Sequence, residues 1–241
     1  MKIIVCKNYE EMSQKGAALI ADVIKSNPKA ILGLATGNSP IGIYRNLVAA
    51  YERGELDFAE VRSFNLDEYL PIDPTDPNSY CAFMHENLWD KVNMKSENCN
   101  IPSGKSVEDA EAECRAYDAR IQAAGGIDIQ LLGIGRNGHI GFNEPADALL
   151  MGTHPVTLTE STLIANGPLF DDPAKMPRHA VTMGLGGIFS AKKVLLVANG
   201  KSKHEAIRGM IGDEVTTSNP ASLLKLHPDL TLICDEEAYN G

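Results

Sequence analysis

The sequence predicts a doubly wound α/β fold of Rossmann-like type, with a mostly parallel sheet in a single domain. Three observations predict it. Short apolar runs alternate with longer stretches of helical spacing from one end of the 241 residues to the other. Polar, glycine-rich segments follow several of those runs, as expected where strands of an open sheet hand over to helices. No repeat or low-complexity segment interrupts the alternation, and 44 % hydrophobic with 22 % charged residues is an ordinary globular composition.

Lys2 to Cys6 reads as a short strand. Asn8 is placed to cap a helix, with Glu11 three residues on as in a capping box, and Ala17, Ala18, Ile20, Ala21, Val23 and Ile24 supply its apolar face. Pro28 ends that helix, and Ala30 to Leu34 reads as a core strand. Ala35-Thr-Gly-Asn-Ser39 then precedes Pro40, which suits the first turn of a helix. A loop between a strand end and a helix start offers free N–H groups and a favourable dipole to an anion. Gly37, Asn38 and Ser39 are the candidate ligands, although Ser39 also reads as a simple helix cap. Val61 to Leu66 is the next strand, with Asp67-Glu68-Tyr69 hanging from its end. A carboxylate there is a candidate acid or base, and adjacent acids also read as a solvated loop. Prolines 71, 74 and 77 mark a loop, and Ser79 to Val92 has helical spacing. Ser106 is placed to cap a helix from Val107 to about Ala124, stopped by Gly125-Gly126.

Ile127 to Ile134 is a buried strand, and it runs into Gly133, Gly135, Gly138 and Gly141 within nine residues. Glycines there allow tight turns and close backbone approach to a ligand. Asn137, His139 and Glu144 lie on that loop, where a proton-transfer histidine and a carboxylate can be aimed at one point. Residues 146–175 read as mostly loop, a candidate lid with a short helix near 160–166. Ala180 to Met183 reads as a strand, Gly184 to Ser190 as a short helix and Lys193 to Ala198 as a firm strand. Lys201-Ser-Lys203 opens a helix to about Ile211, placing a lysine at a strand end, and Leu230 to Cys234 closes the sheet.

The motif Asn137-Gly-His-Ile-Gly-Phe-Asn-Glu-Pro145, together with Asn65-Leu-Asp-Glu-Tyr69, resembles the signature of glucosamine-6-phosphate deaminases (isomerases). The resemblance runs from the Gly33-Leu-Ala-Thr-Gly37 loop to the strand near Leu230. The related 6-phosphogluconolactonases share the fold, but the Asn143-Glu144-Pro145 ending favours the deaminase branch. The resemblance implies an enzyme that turns glucosamine 6-phosphate and water into fructose 6-phosphate and ammonia without metal or organic cofactor. It assigns ring opening to His139 with Glu144 as partner and Asn137 assisting. It makes Asp67 the base between C2 and C1, and gives the phosphate to Gly37, Asn38, Ser39 and Lys203. The sequence departs from the family pattern at Asn137, where many members have Asp, and at Gly152 and Pro168, where members usually carry Arg. The arginine usual at the latter position helps hold the phosphate. Alternatives from the same parts are another amino sugar phosphate such as galactosamine 6-phosphate, a lactonase-type hydrolase, or a non-catalytic sugar-phosphate sensor.

Other classes fall away on composition. A net charge of −10 argues against a nucleic-acid surface. The five cysteines, Cys6, Cys81, Cys99, Cys114 and Cys234, form no CxxC pair, so neither zinc nor a redox motif is expected. No apolar run approaches ~18 residues, and no signal peptide or GxGxxG fingerprint opens the chain. The expectation is a soluble, cytoplasmic protein that binds neither membrane nor dinucleotide.

Overall fold

The computed structural model describes residues 1–104, 106–170 and 172–241. In chain order the elements begin with β1 (Lys2–Cys6), α1 (Tyr9–Ser26), β2 (Ile31–Leu34), α2 (Asn38–Glu52), β3 (Arg62–Asn65), β4 (Asp67–Leu70) and α3 (Tyr80–Asn87). There follow β5 (Cys99–Asn100), α4 (Val107–Ala124), β6 (Ile129–Leu132), β7 (His154–Thr157), α5 (Glu160–Asn166) and β8 (His179–Thr182). The last are α6 (Leu185–Phe189), β9 (Val194–Ala198), α7 (His204–Ile211), β10 (Leu230–Asp235) and α8 (Glu236–Asn240).

Seven strands form one parallel sheet in the order β1-β10-β9-β6-β2-β3-β5. Alternate residues of each strand enter two different cores. Leu195 and Val197 of β9 and Ile233 of β10 pack with α1, α2 and α3 through Met12, Ile20, Ile43, Leu47 and Met84. Val194, Leu196, Leu230 and Leu232 face the other way, onto Tyr117 and Ile121 of α4, Ile188 of α6 and Ile207 of α7. Burial on both faces is why these strands read as mainly apolar runs. After β2 the chain moves outward to β3 and β5, then returns to the other side of β2 as β6. The strand order therefore reverses between β2 and β6, and the loops leaving these two strands flank a crevice suited to a ligand.

Helix starts follow the sequence closely. The Asn8 side chain accepts from the Glu11 N–H, while the Glu11 carboxylate takes the N–H of Lys7. Ser79 and Ser106 cap α3 and α4 through the N–H groups of Ala82 and Asp109. The helix foreseen over 79–92 stops at Asn87, and a short 3₁₀ turn, Trp89–Lys91, continues it.

Four features differ from the sequence reading. A second, antiparallel sheet, β4-β8-β7, stands where a loop is expected at Asp67-Glu68-Tyr69 and a mostly irregular segment over 146–175. Neither of its hidden strands alternates: β4 carries two acids, and β7 carries Pro155 on an edge strand, where a missing N–H is tolerated. Ser39 does not cap α2. The helix begins one residue before it, Gly37 is the cap without a side-chain bond, and Pro40 falls in the third position. β10 lies inside the sheet between β1 and β9, so β1 and β5 are the edges. Two-residue β5 and five-residue α8 are too short for periodicity to reveal.

Candidate active site

The loop after β6 is wound tightly on itself. The Gly135 N–H donates to the His139 carbonyl at 2.9 Å, and the Gly138 N–H to the Gly135 carbonyl at 3.1 Å. The imidazole of His139 lies directly over Gly135. A Cβ there would meet ring atoms at 2.3–2.4 Å, so only glycine leaves room for the ring. The far side of the loop is pinned as well. The Phe142 N–H donates to Thr182 Oγ1 at 3.0 Å, and the buried Asn143 amide donates to the carbonyls of Ile140 and Met183. Thr182 is the strand partner of Asp67, so these contacts seat the loop beside the start of β4.

Glu144 gathers the polar groups of the loop. Its Oε2 accepts from Asn137 Nδ2 at 2.7 Å and lies 3.2 Å from His139 Nδ1. The histidine contact is within ion-pair range but misses hydrogen-bond alignment, so its attraction is mainly electrostatic until the ring turns. Burial alone would raise the Glu144 pKa. The close His139 contact and its charge, then the bonds from Asn137 and Thr162, outweigh burial and hold the carboxyl down at about 2. Asn137 also accepts the His139 N–H through Oδ1, so one amide ties the histidine backbone to the carboxylate. The three residues foreseen on this loop therefore come together as one cluster.

Asp67 and Glu68 are both buried, with different surroundings. The Glu68 carboxylate accepts the N–H groups of Tyr69, Tyr80 and Cys81 at 2.8–2.9 Å, fixing the start of α3 against β4. Asp67 accepts no hydrogen bond among the described residues. Burial first, then the Glu68 charge, raises its pKa from 3.8 to about 8. Burial also raises Glu68, to about 7, against its three donors. Those donors stabilise only the anion, so Glu68 is the member of the pair that ionises first. Glu68 is thus bonded into the start of α3, and Asp67 is the candidate for proton transfer.

The loop after β2 forms the anion end. Gly37 adopts φ +97°, a conformation that disfavours any side chain, and the first turn of α2 has no side-chain cap. The Ser39 hydroxyl donates to Asn199 Oδ1 at 2.6 Å, joining the loops that leave β2 and β9. Lys203, four residues after Asn199, is half-buried and has no carboxylate partner among the described residues. Its pKa is lowered by burial and by the nearby Arg136 charge. An uncapped helix start favours an anion, which makes this end of the crevice a candidate phosphate site. Arg136, within the loop after β6, was not singled out from sequence, although a cation next to Asn137 was visible there.

Residues 7–232 match the family described as glucosamine-6-phosphate isomerases/6-phosphogluconolactonase. The chain belongs to this family. It is 52 % identical over 238 residues to a glucosamine-6-phosphate deaminase of Thermoanaerobacter pseudethanolicus, covering 99 % of this chain and 94 % of that one. Its fold superposes with a TM-score of 0.95 on a monomeric glucosamine-6-phosphate deaminase, 44 % identical, covering 99 % and 98 % of the two chains. A 6-phosphogluconolactonase from Trypanosoma cruzi, 22 % identical, shares the fold with a TM-score of 0.76 over 98 % of this chain and 95 % of that one.

Gly152 and Pro168, where the resemblance implies arginine, lie on the segment between β6 and β8. Pro168 is exposed in a 3₁₀ turn, Gly167–Leu169, and supplies no donor. Gly152 is exposed beside Asp118, whose carboxylate accepts the N–H and hydroxyl of the next residue, Thr153. Two site residues on the same segment were missed from sequence. The hydroxyls of Thr159 and Thr162 reach Glu144 Oε1 at 3.4 and 2.9 Å across fifteen and eighteen residues. Nothing in a Thr-Glu-Ser-Thr run signals such a contact. Among the described residues no group of three or more His, Cys, Asp or Glu side chains is arranged to hold a metal, and no helix is long and apolar enough to cross a membrane.

Proposed function

We propose that this protein converts glucosamine 6-phosphate and water into fructose 6-phosphate and ammonia. One observation carries the reading: Asp67, a buried carboxyl without a donor among the described residues and raised to about 8, stands beside the loop that holds His139 against Glu144. A base of that kind is matched to moving a proton between carbons near neutral pH. The family match and the deaminase relatives support the same substrate.

The residues divide the work as follows. The first-turn N–H groups of α2, the Ser39 hydroxyl and Lys203 hold the phosphate, with Gly37 and Asn38 shaping the loop. His139 delivers a proton to the ring oxygen as the pyranose opens, and the proton released by the C1 hydroxyl restores it. Glu144 keeps the imidazole oriented, and Asn137 ties the two together. In the open chain Asp67 removes the C2 proton and returns it at C1 while a second proton passes from the nitrogen to O1, leaving an imine at C2. Water adds to that carbon, and the nitrogen departs as ammonia. The sum consumes one water and leaves each protein group in its starting state. Five cysteines, all free, suit a reducing compartment, and a cytoplasmic place of action belongs to this proposal.

The decisive assay offers the protein glucosamine 6-phosphate, galactosamine 6-phosphate, unphosphorylated glucosamine and 6-phosphogluconolactone. Ammonia and fructose 6-phosphate are expected in equal amounts from the first alone. Ammonia from galactosamine 6-phosphate in preference, acid release from the lactone, or tight binding without turnover would each replace the reading with a different one.

A further inference from the structure

Glu144 Oε2 faces the loop, but Glu144 Oε1 faces the opposite way, into α5. There it accepts from Thr162 Oγ1 at 2.9 Å and stands 3.4 Å from Thr159 Oγ1. Thr162 is buried, and the two hydroxyls are 3.0 Å apart, so together they line one side of the carboxylate. Thr159 has a second duty as the cap of α5. Thr162 has none, since its hydroxyl bonds only to Glu144 and Thr159 among the described residues. The other end of α5 is fastened too: Asn166 Nδ2 donates to the Tyr69 hydroxyl at 3.1 Å, and Tyr69 is two residues from Asp67. The seven residues of α5 therefore bridge the two acidic centres, although they belong to the long connection between β6 and β8.

A carboxylate turns freely about its last bond unless both oxygens are held. Asn137 and His139 occupy one oxygen. Without Thr162 the other is left to the weaker Thr159 contact, and the carboxylate can swing off the imidazole. We propose that Thr162 is a positioning residue for ring opening: its hydroxyl locks the Glu144 carboxylate toward His139, so that docking of α5 readies the pair. This rests on the ring-opening role given to His139 and Glu144.

The test compares Thr162→Val, which keeps the shape and removes the donor, with Thr162→Ser, which keeps the donor. Thr162→Val is expected to lower kcat about tenfold or more, with KM moving less than about threefold, and Thr162→Ser to recover most of the loss. In a Glu144→Ala background, Thr162→Val should cost nothing further, because the group it positions is gone. Amide hydrogen exchange over 160–166 gives a reading without turnover. Thr162→Val and Glu144→Ala should both speed it, and Thr162→Ser should slow it again. An unchanged kcat in Thr162→Val, an equal loss in Thr162→Ser, or an undiminished loss in the Glu144→Ala background overturns the proposal. So does exchange that ignores Glu144. A parent protein that releases no ammonia would instead refute the deaminase reading, and the exchange experiment would still decide whether Thr162 docks on Glu144.

Discussion

Asp67→Asn separates the chemistry of this site from its stability. The carboxyl of Asp67 ionises at about 8 in the folded chain and near 3.8 when exposed. A folded state that prefers the neutral acid is penalised wherever the unfolded chain has already lost its proton. The penalty is absent well below pH 4, grows as pH rises through the window, and is complete above pH 8. One unit of difference corresponds to about 1.4 kcal/mol, so the penalty grows by at most roughly 3–4 kcal/mol between pH 5 and pH 8. Relaxation around a buried charge reduces that to roughly 2–3 kcal/mol. A chain of this size shifts its Tm by about 2–4 °C per kcal/mol, so the variant should gain roughly 5–10 °C on the parent between the two pH values. A buried Asn amide without partners carries its own cost, but that cost does not vary with pH. The slope with pH is therefore the diagnostic quantity. The assay is thermal unfolding of both proteins at several pH values, alongside kcat, which should fall on the order of a hundredfold or more. A Tm difference that stays flat from pH 5 to pH 8 would refute the buried, poised carboxyl. A near-normal kcat would remove Asp67 from the chemistry.

Three further outcomes follow from the same geometry. His139→Gln and Glu144→Gln should be strongly non-additive in kcat, with a coupling of about 1–3 kcal/mol, because the two groups act as a unit; simple additivity would mean separate roles. Lys203→Ala should raise KM roughly ten- to a hundredfold, the worth of one charged hydrogen bond, and Pro168→Arg should lower it. An unchanged KM together with equal turnover of the unphosphorylated sugar would dismiss the phosphate site. Gly135→Ala places a methyl 2.3 Å from the His139 ring, at a position whose φ is not positive, so contact is its only cost. It should lower kcat at least tenfold, and a crystal structure of the variant should show the imidazole displaced.

The sequence by itself determined the main sheet and most of what it carries. β2, β6, β9 and β10 are buried on both faces, so each is written as a mainly apolar run, broken only at Gly33 in β2, Gln130 in β6, and Thr231 and Asp235 in β10. Asn8, Ser79 and Ser106 bond within three residues of themselves, so their caps were legible. Asn137, His139 and Glu144 stood out as candidates because irregular, glycine-rich backbone at a strand end has few other reasons to carry those residue types, and Asp67 stood out as an acid at the end of a strand. Tertiary structure decided the rest, wherever a residue's role depends on a neighbour far along the chain. Ser39 looked like a cap and instead bonds to Asn199, 160 residues away. Adjacent acids at 67 and 68 look alike in sequence. Three amides from β4 and α3 hold Glu68 as the structural anion, and the absence of any such donor among the described residues leaves Asp67 poised. β4 and β7 are four residues each, without apolar alternation, and they exist as strands because each pairs with β8. Thr162 lies in a segment that reads as a loop with one short helix. Its hydroxyl meets Glu144 only because that sheet folds α5 back over the loop after β6, and a contact made by long-range packing leaves no pattern in the residues on either side of it.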